Sequence, residues 1–300
     1  MRREVPDKRS ECLPLHHGAE MKKLKHLLKT SAIGRVVLMP YRMRVALRYY
    51  AASIARIPVW LVTSREYTNF TYDLDDLNRD YLAWFVAVIC RIRVGTIRTY
   101  MAELQNDRDL ETHVRQLTGS SEFMHVSDPH PRYARRAGWY ALVRALKPKV
   151  VVESGVDKGL GSCVLASALG RNEKEGQPGC LYGIDVDPNA GYLFKAPYTD
   201  YGRILYGDSL SVLRDFRHSI DLFIHDSRHS PEHERSEFEL IASQLAPGAV
   251  VLSDNAHSTG ELMAFAERTS RQFLFFQERP SSHWYPGGGI GAALPEHRGP

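Results

Sequence analysis

Three hundred residues, 43% hydrophobic and 25% charged, make an ordinary globular composition, enough for one sizeable core and an appendage. That balance excludes collagen-like, low-complexity and wholly disordered chains. The longest apolar block, residues 81–90, falls well short of the ~18 residues a membrane-spanning helix needs. Four scattered cysteines (Cys12, Cys90, Cys163, Cys180) form no CxxC pair, so neither a disulfide framework nor a structural zinc site is expected, and a reducing cytosol fits.

The net charge of +4 is unevenly placed. Residues 1–60 hold 13 Lys/Arg against 4 Asp/Glu, while the other 240 residues hold 26 against 31. A basic N-terminal part thus precedes a mildly acidic body. It is suited to peripheral contact with an anionic membrane, and equally to being a solvated leader. Residues 1–20 have neither an apolar core nor a small-residue cleavage site, and read as a disordered tail with no secretory signal. Residues 21–132 read as a basic, mainly helical region. Its first helix is signalled by Leu24, Leu27 and Leu28 among lysines. A basic amphipathic stretch follows at 41–62, interrupted by Pro58, and further helices are predicted at 73–93 and 100–117. The turn formers of 119–133 read as a connector. No aromatic-interleaved basic motif for RNA is present, which leaves nucleic acid a minor option, and a homo-oligomer stays open.

From residue 133 to 300 the pattern changes. Short apolar runs at 150–153, 181–185, 203–206, 221–225 and 249–253 alternate with helical segments at 134–147, 160–170, 209–217, 231–245 and 259–270. The alternation predicts an α/β fold, a parallel sheet with helices on both faces. The runs 272–277 and 289–293 would close it as a hairpin-like edge. Ser230-Pro231-Glu232 signals one helix start, and Ser258-Thr-Gly-Glu261 has capping-box spacing.

In such a sheet ligands bind beyond the carboxyl ends of the strands. The first strand ends in Glu153-Ser-Gly155-Val-Asp-Lys-Gly159-Leu-Gly161-Ser162, a turn that brings backbone N–H groups to a ligand. It lacks the third small residue of a dinucleotide fingerprint and the Gly-Lys-Ser/Thr of a P-loop. The second strand ends at Asp185, placed to accept hydrogen bonds from ribose hydroxyls. Asp208 and Ser209 follow the third and suit an adenine edge, or simply a helix cap. Together the three turns favour an adenosyl cofactor. Asp226 closes the fourth strand, and Asp254 and Asn255 the fifth. Two carboxylates and an amide carbonyl suit a hard divalent cation such as Mg²⁺. His229, three residues after Asp226, could then take the proton of a substrate hydroxyl. His225 and His257 could line the pocket or only pack.

These turns resemble S-adenosylmethionine-dependent methyltransferases of the class I, Rossmann-like type. Within them residues 133–300 are most similar to the metal-dependent O-methyltransferases of the catechol, caffeoyl-CoA and macrocin kinds. The first family motif, acid-x-Gly-x-x-x-Gly, falls on Glu153, Gly155 and Gly159, beside Gly161. The ribose acid falls on Asp185, the adenine-side turn on Asp208 and Ser209, and the metal triad on Asp226, Asp254 and Asn255. His229 stands where the catechol type has a lysine base. The resemblance implies a doubly wound, mostly parallel seven-stranded sheet with an antiparallel last strand. It also implies S-adenosylmethionine and a divalent cation as cofactors, and a small-molecule or glycoside substrate bearing a hydroxyl. The chain departs from the pattern in a long polar loop at 171–180 and a poor second helix at 189–202. A metal-independent methyltransferase and a non-catalytic adaptor are the competing readings.

Overall fold

The computed structural model describes residues 17–67 and 70–296, with side chains from residue 21 onward, so most of the tail predicted at 1–20 lies outside the described residues. The chain divides into two compact units, one up to Ala55 and one from Arg56 onward. The first contains α1 (His17–Thr30), α2 (Ala32–Val37) and α3 (Met39–Thr63) as far as residue 55. Ser31 caps α2 by accepting from the Gly34 amide. Pro58 does not interrupt α3, as the sequence suggested, but sits inside it; one lost amide hydrogen bond does not end a helix of 25 residues.

The second unit goes on with α4 (Asp76–Cys90), α5 (Val94–Gln105) and α6 (Arg108–Ser120). The single helix predicted over 100–117 is really the end of α5 and most of α6. The chain breaks at Asn106, and Asp107 restarts it by accepting from the Leu110 amide. Then come α7 (Arg136–Leu146), β1 (Val150–Ser154), α8 (Leu160–Lys174), β2 (Cys180–Asp185), β3 (Gly202–Tyr206), α9 (Ser209–Asp215), β4 (Ile220–His225), α10 (Pro231–Ile241), β5 (Leu245–Ser253), α11 (Glu261–Arg268), β6 (Arg271–Gln277) and β7 (Gly289–Pro295). Because α8 runs on to Lys174, the loop expected at 171–180 is short. Segment 189–202 holds only a 3₁₀ turn at Tyr198–Tyr201, in keeping with its poor helical pattern.

Among the described residues the strands form one sheet of order β3-β2-β1-β4-β5-β7-β6, with β7 antiparallel to both neighbours and the rest parallel. This is the doubly wound seven-stranded arrangement expected. The last strand inserts between β5 and β6, which makes β6 the edge. Successive strand residues face opposite sides. Val151, Leu181, Leu222, Ile224, Val250 and Leu252 join one core with α4, α5, α7 and α8. Val152, Tyr182, Phe223 and Val251 join the other, with α9, α10 and α11. Strands buried on both faces read as continuous apolar runs, which is why they were legible in the sequence.

Ser230 caps α10 as predicted. The capping box at 258–261 does not form: α11 starts after Gly260 with no side-chain cap from that residue, and the Glu261 carboxylate pairs with Arg235 instead of reaching back to Ser258. One buried cation ties three helices together. Arg144 of α7 is paired with Glu103 of α5 at 2.9 Å, donates to the buried amide oxygen of Asn172 on α8, and meets Glu175 at 2.6 Å. Arg144→Met leaves the buried Asn172 oxygen without its donor and Glu103 without its cation, with the Tyr140 hydroxyl still donating to it. It should therefore cost about 3–5 kcal/mol in urea unfolding, whereas an unchanged unfolding midpoint would show that the cluster adds nothing.

Candidate active site

The register of the sheet builds the site. Ser154 pairs with Ile184 on one side and His225 on the other, and His225 pairs with Ser253. One residue further on, Asp185, Gly155, Asp226 and Asp254 therefore stand in one row across four neighbouring strand ends. Backbone hydrogen bonds extend the ladder through that row: Gly155 N–H to Ile184 at 2.8 Å, Asp226 N–H to Ser154 and Asp254 N–H to His225, both at 2.7 Å. Adjacent strands lie about 4.8 Å apart, so carboxylates at one level on neighbouring strands must meet. Gly155 has φ +90°, and a Cβ there would lie 2.2 Å from the carbonyl oxygen of Asp226. No other residue type fits.

A cavity of about 640 Å³ opens over this row. Of the residues singled out in the sequence, Glu153, Gly155, Gly161, Asp185, Asp208, Ser209, Asp226, His229, Asp254 and Asn255 line it, and Gly159, His225 and His257 do not. Gly159, at φ +93°, packs instead against Gly191 and Phe194. Gly161 makes room for Glu153: a Cβ there would stand 2.1 Å from Glu153 Oε1. Asp185 Oδ2 accepts from the Val156 and Asp157 amides and Oδ1 from the Asp187 amide, all at 2.9 Å. It thereby fixes the glycine turn and keeps an acceptor position on Oδ1. Asp208 caps α9 at the Ser211 amide, and Ser209 Oγ lies 3.1 Å from His233 Nε2.

Ligand atoms of Asp226, His229 and Asp254 all fall within 4.8 Å of one another. His229 Nε2 is 3.7 Å from Asp226 Oδ1. Asn255, at φ 54°, turns its amide nitrogen toward His229 Nε2 at 3.1 Å and Asp254 Oδ2 at 3.2 Å. The amide oxygen expected as the third ligand thus faces Gly288, and rotating the amide by half a turn exchanges the two atoms. Burial and the neighbouring Asp254 push the Asp226 carboxyl well above its usual range. Burial works against Asp254 too, but Arg135 and the hydrogen bond from Asp226 hold it ionised. Burial lowers His229, which favours a neutral imidazole.

Several residues of this site carried no sequence signal. The Arg135 guanidinium is paired with Asp254, reaching Oδ2 at 2.5 Å, and lies 3.6 Å from Glu278. Tyr72 donates to Glu278 at 2.8 Å, and Arg136 stands 3.9 Å from Asp226. Beneath the row, buried Glu237 accepts from Ser154 at 2.6 Å and Ser227 at 3.0 Å, and meets His225 at 2.7 Å and His233 at 3.1 Å. His225 therefore packs rather than lining the cavity, and His257 is exposed.

Burial pushes the Glu153 carboxyl up to about 7 from its ordinary 4.5, with the hydrogen bond from Ser162 working against it. A carboxyl raised in the fold stabilises it below the unfolded value, and that contribution is lost as pH rises through about 7. Glu153→Gln should therefore remove about 2–3 kcal/mol of stability loss between about pH 5 and pH 8. Urea unfolding at the two pH values measures this, and an identical pH slope in the variant would place the titration elsewhere.

Residues 152–256 match a protein family described as "Methyltransferase domain". No curated protein matches the chain. Among solved structures, the chain is similar to the O-methyltransferase TomG of Streptomyces achromogenes, involved in tomaymycin synthesis and crystallised with S-adenosylmethionine. Identity is 18%, covering 64% of this chain and 91% of that one, with a TM-score of 0.46. An O-methyltransferase from Bacillus cereus in complex with S-adenosylhomocysteine is similar at 16% identity, covering 66% and 99% of the two chains, with a TM-score of 0.46. A methyltransferase from Geobacter sulfurreducens follows at 18% identity, 61% and 89% coverage and a TM-score of 0.45. The family match spans β1 to the turn after β5, the stretch whose strand ends form the cavity. Over residues 152–256 the chain is therefore similar to a methyltransferase domain, carried on the doubly wound sheet described above.

Proposed function

We propose that the protein transfers the methyl group of S-adenosylmethionine to a hydroxyl oxygen of a small molecule or sugar, with a divalent cation such as Mg²⁺ held at Asp226, Asp254 and Asn255. The observation that carries this reading is the meeting of Asp226, His229 and Asp254 within 4.8 Å, in the same cavity as Asp185 and Glu153. The donor set fits a hard cation. Burial and the nearby Asp254 push the Asp226 carboxyl well above its usual range, and a divalent ion between the two carboxylates would offset their repulsion. S-adenosylmethionine would supply an electrophilic sulfonium methyl, and the cation would lower the pKa of a bound hydroxyl.

The rest falls to the chain's own groups. Asp185 offers its remaining acceptor position to a ribose hydroxyl, and Asp208 and Ser209 border the adenine side. His229, neutral because it is buried, accepts the substrate proton at Nε2. Methyl transfer between bound partners depends mainly on orientation, worth up to about 7–11 kcal/mol. The hydrogen-bonded strand ends and the Arg135 pair supply a stiff frame for it. One observation favours a metal-independent variant of the same reaction: Arg135 already occupies the carboxylate of Asp254.

Calorimetric titration with S-adenosylmethionine in the presence of Mg²⁺ should show saturable binding that Asp185→Ala abolishes. No binding at millimolar ligand would bring the adaptor reading forward. With an accepted catechol or sugar diol, EDTA should stop turnover, and an EDTA-insensitive rate would select the metal-independent route. His229→Ala should slow turnover by about 10²–10⁴-fold with Mg²⁺ affinity intact. Loss of Mg²⁺ affinity in that variant would instead make His229 a ligand.

A further inference from the structure

The first unit presents apolar side chains to water in an ordered way. On α3, Met43, Leu47, Tyr50 and Ile54 recur at intervals of four, three and four residues, so they share one side of the helix. All four are exposed, by 48–66%, and α3 buries none of its residues. Arg42, Arg44 and Arg48 fall outside that stripe on a 3.6-residue helix. On α1, Met21, Leu24 and Leu27 are likewise exposed among lysines. Between residues 21 and 55 there are eight Lys/Arg and no Asp/Glu.

We infer that α1 and the first part of α3 dock on the surface of a phospholipid bilayer carrying anionic headgroups. An apolar stripe bordered by cations is what lies in the headgroup layer, with the apolar side chains in the acyl boundary and the arginines reaching outward to phosphate. Charge decides between occupants. A second copy would bring the same cations with no acid to meet them, so isologous pairing repels. Nucleic acid would engage the cations and leave the stripe in water. No helix among the described residues is long and apolar enough to cross a membrane, so the contact is with the surface. The inference is independent of the methyl-transfer chemistry.

The test is flotation of the full chain with phosphatidylglycerol–phosphatidylcholine vesicles, with pure phosphatidylcholine vesicles as comparison. Binding should require the anionic lipid and fall about tenfold or more between about 0.05 M and 0.5 M salt. Leu47→Ser combined with Ile54→Ser should weaken it about tenfold or more, as should Arg44→Glu combined with Arg48→Glu. These positions are exposed, so thermal unfolding should not move in either variant. Absence of vesicle binding, binding indifferent to lipid charge, or replacement of vesicle binding by self-association or by DNA binding would each overturn the inference.

Discussion

The site depends on the register of the sheet at the carboxyl ends of β2, β1, β4 and β5. Parallel pairing fixes which residues stand level, and the amides of Gly155, Asp226 and Asp254 carry the ladder one step beyond the regular strands. A shift of one residue in any of these strands would send its acid to the opposite face. The backbone at Gly155 has no spare room either, because the Asp226 carbonyl fills the space of a side chain. Position and chemistry are therefore one constraint: the hydrogen bonds that close the sheet also bring the carboxylates together.

That closeness has an electrostatic consequence. Burying a charge costs several kcal/mol unless it is paired. Arg135 is placed between Asp254 and Glu278, Tyr72 adds a hydrogen bond to Glu278, and Arg136 lies at the edge of Asp226. Two guanidiniums thus face three carboxyls, and the carboxyl left over is Asp226, which burial and Asp254 push well above its usual range. This local imbalance, rather than a count of oxygen atoms, is what the proposed cation would relieve.

Much of this was legible in the sequence, for physical reasons. Strands covered on both faces are uninterrupted apolar runs, and the acid after each run marks the strand end, so Asp185, Asp208, Asp226 and Asp254 could be named without coordinates. What was hidden arrives from far along the chain. Arg135 meets Asp254 across 119 residues and Tyr72 meets Glu278 across 206, and neither pair lies in a local pattern. Local signals failed where tertiary partners outbid them: Glu261 pairs with Arg235 instead of closing a capping box with Ser258. The split between α5 and α6 was missed because Asp107 reads equally well as one more polar helical residue, and its capping bond is visible only in three dimensions.

Glu237 is a buried acid within the polar helix α10. Held ionised by His225 and His233 against its burial, it also receives Ser154 and Ser227. Ser154 ends β1 just before the glycine turn, and His225 ends β4 just before Asp226. His233 reaches on to Ser209, at the start of α9 in the wall of the cavity. One buried carboxylate thus touches the supports of the glycine turn, the carboxylate row and α9 at once. A displacement of α10 would have to break all of these contacts together, and in a low-dielectric interior each unpaired group left behind is costly. The two halves of the cavity are in this way held in one fixed relation, as the proposed methyl transfer would require.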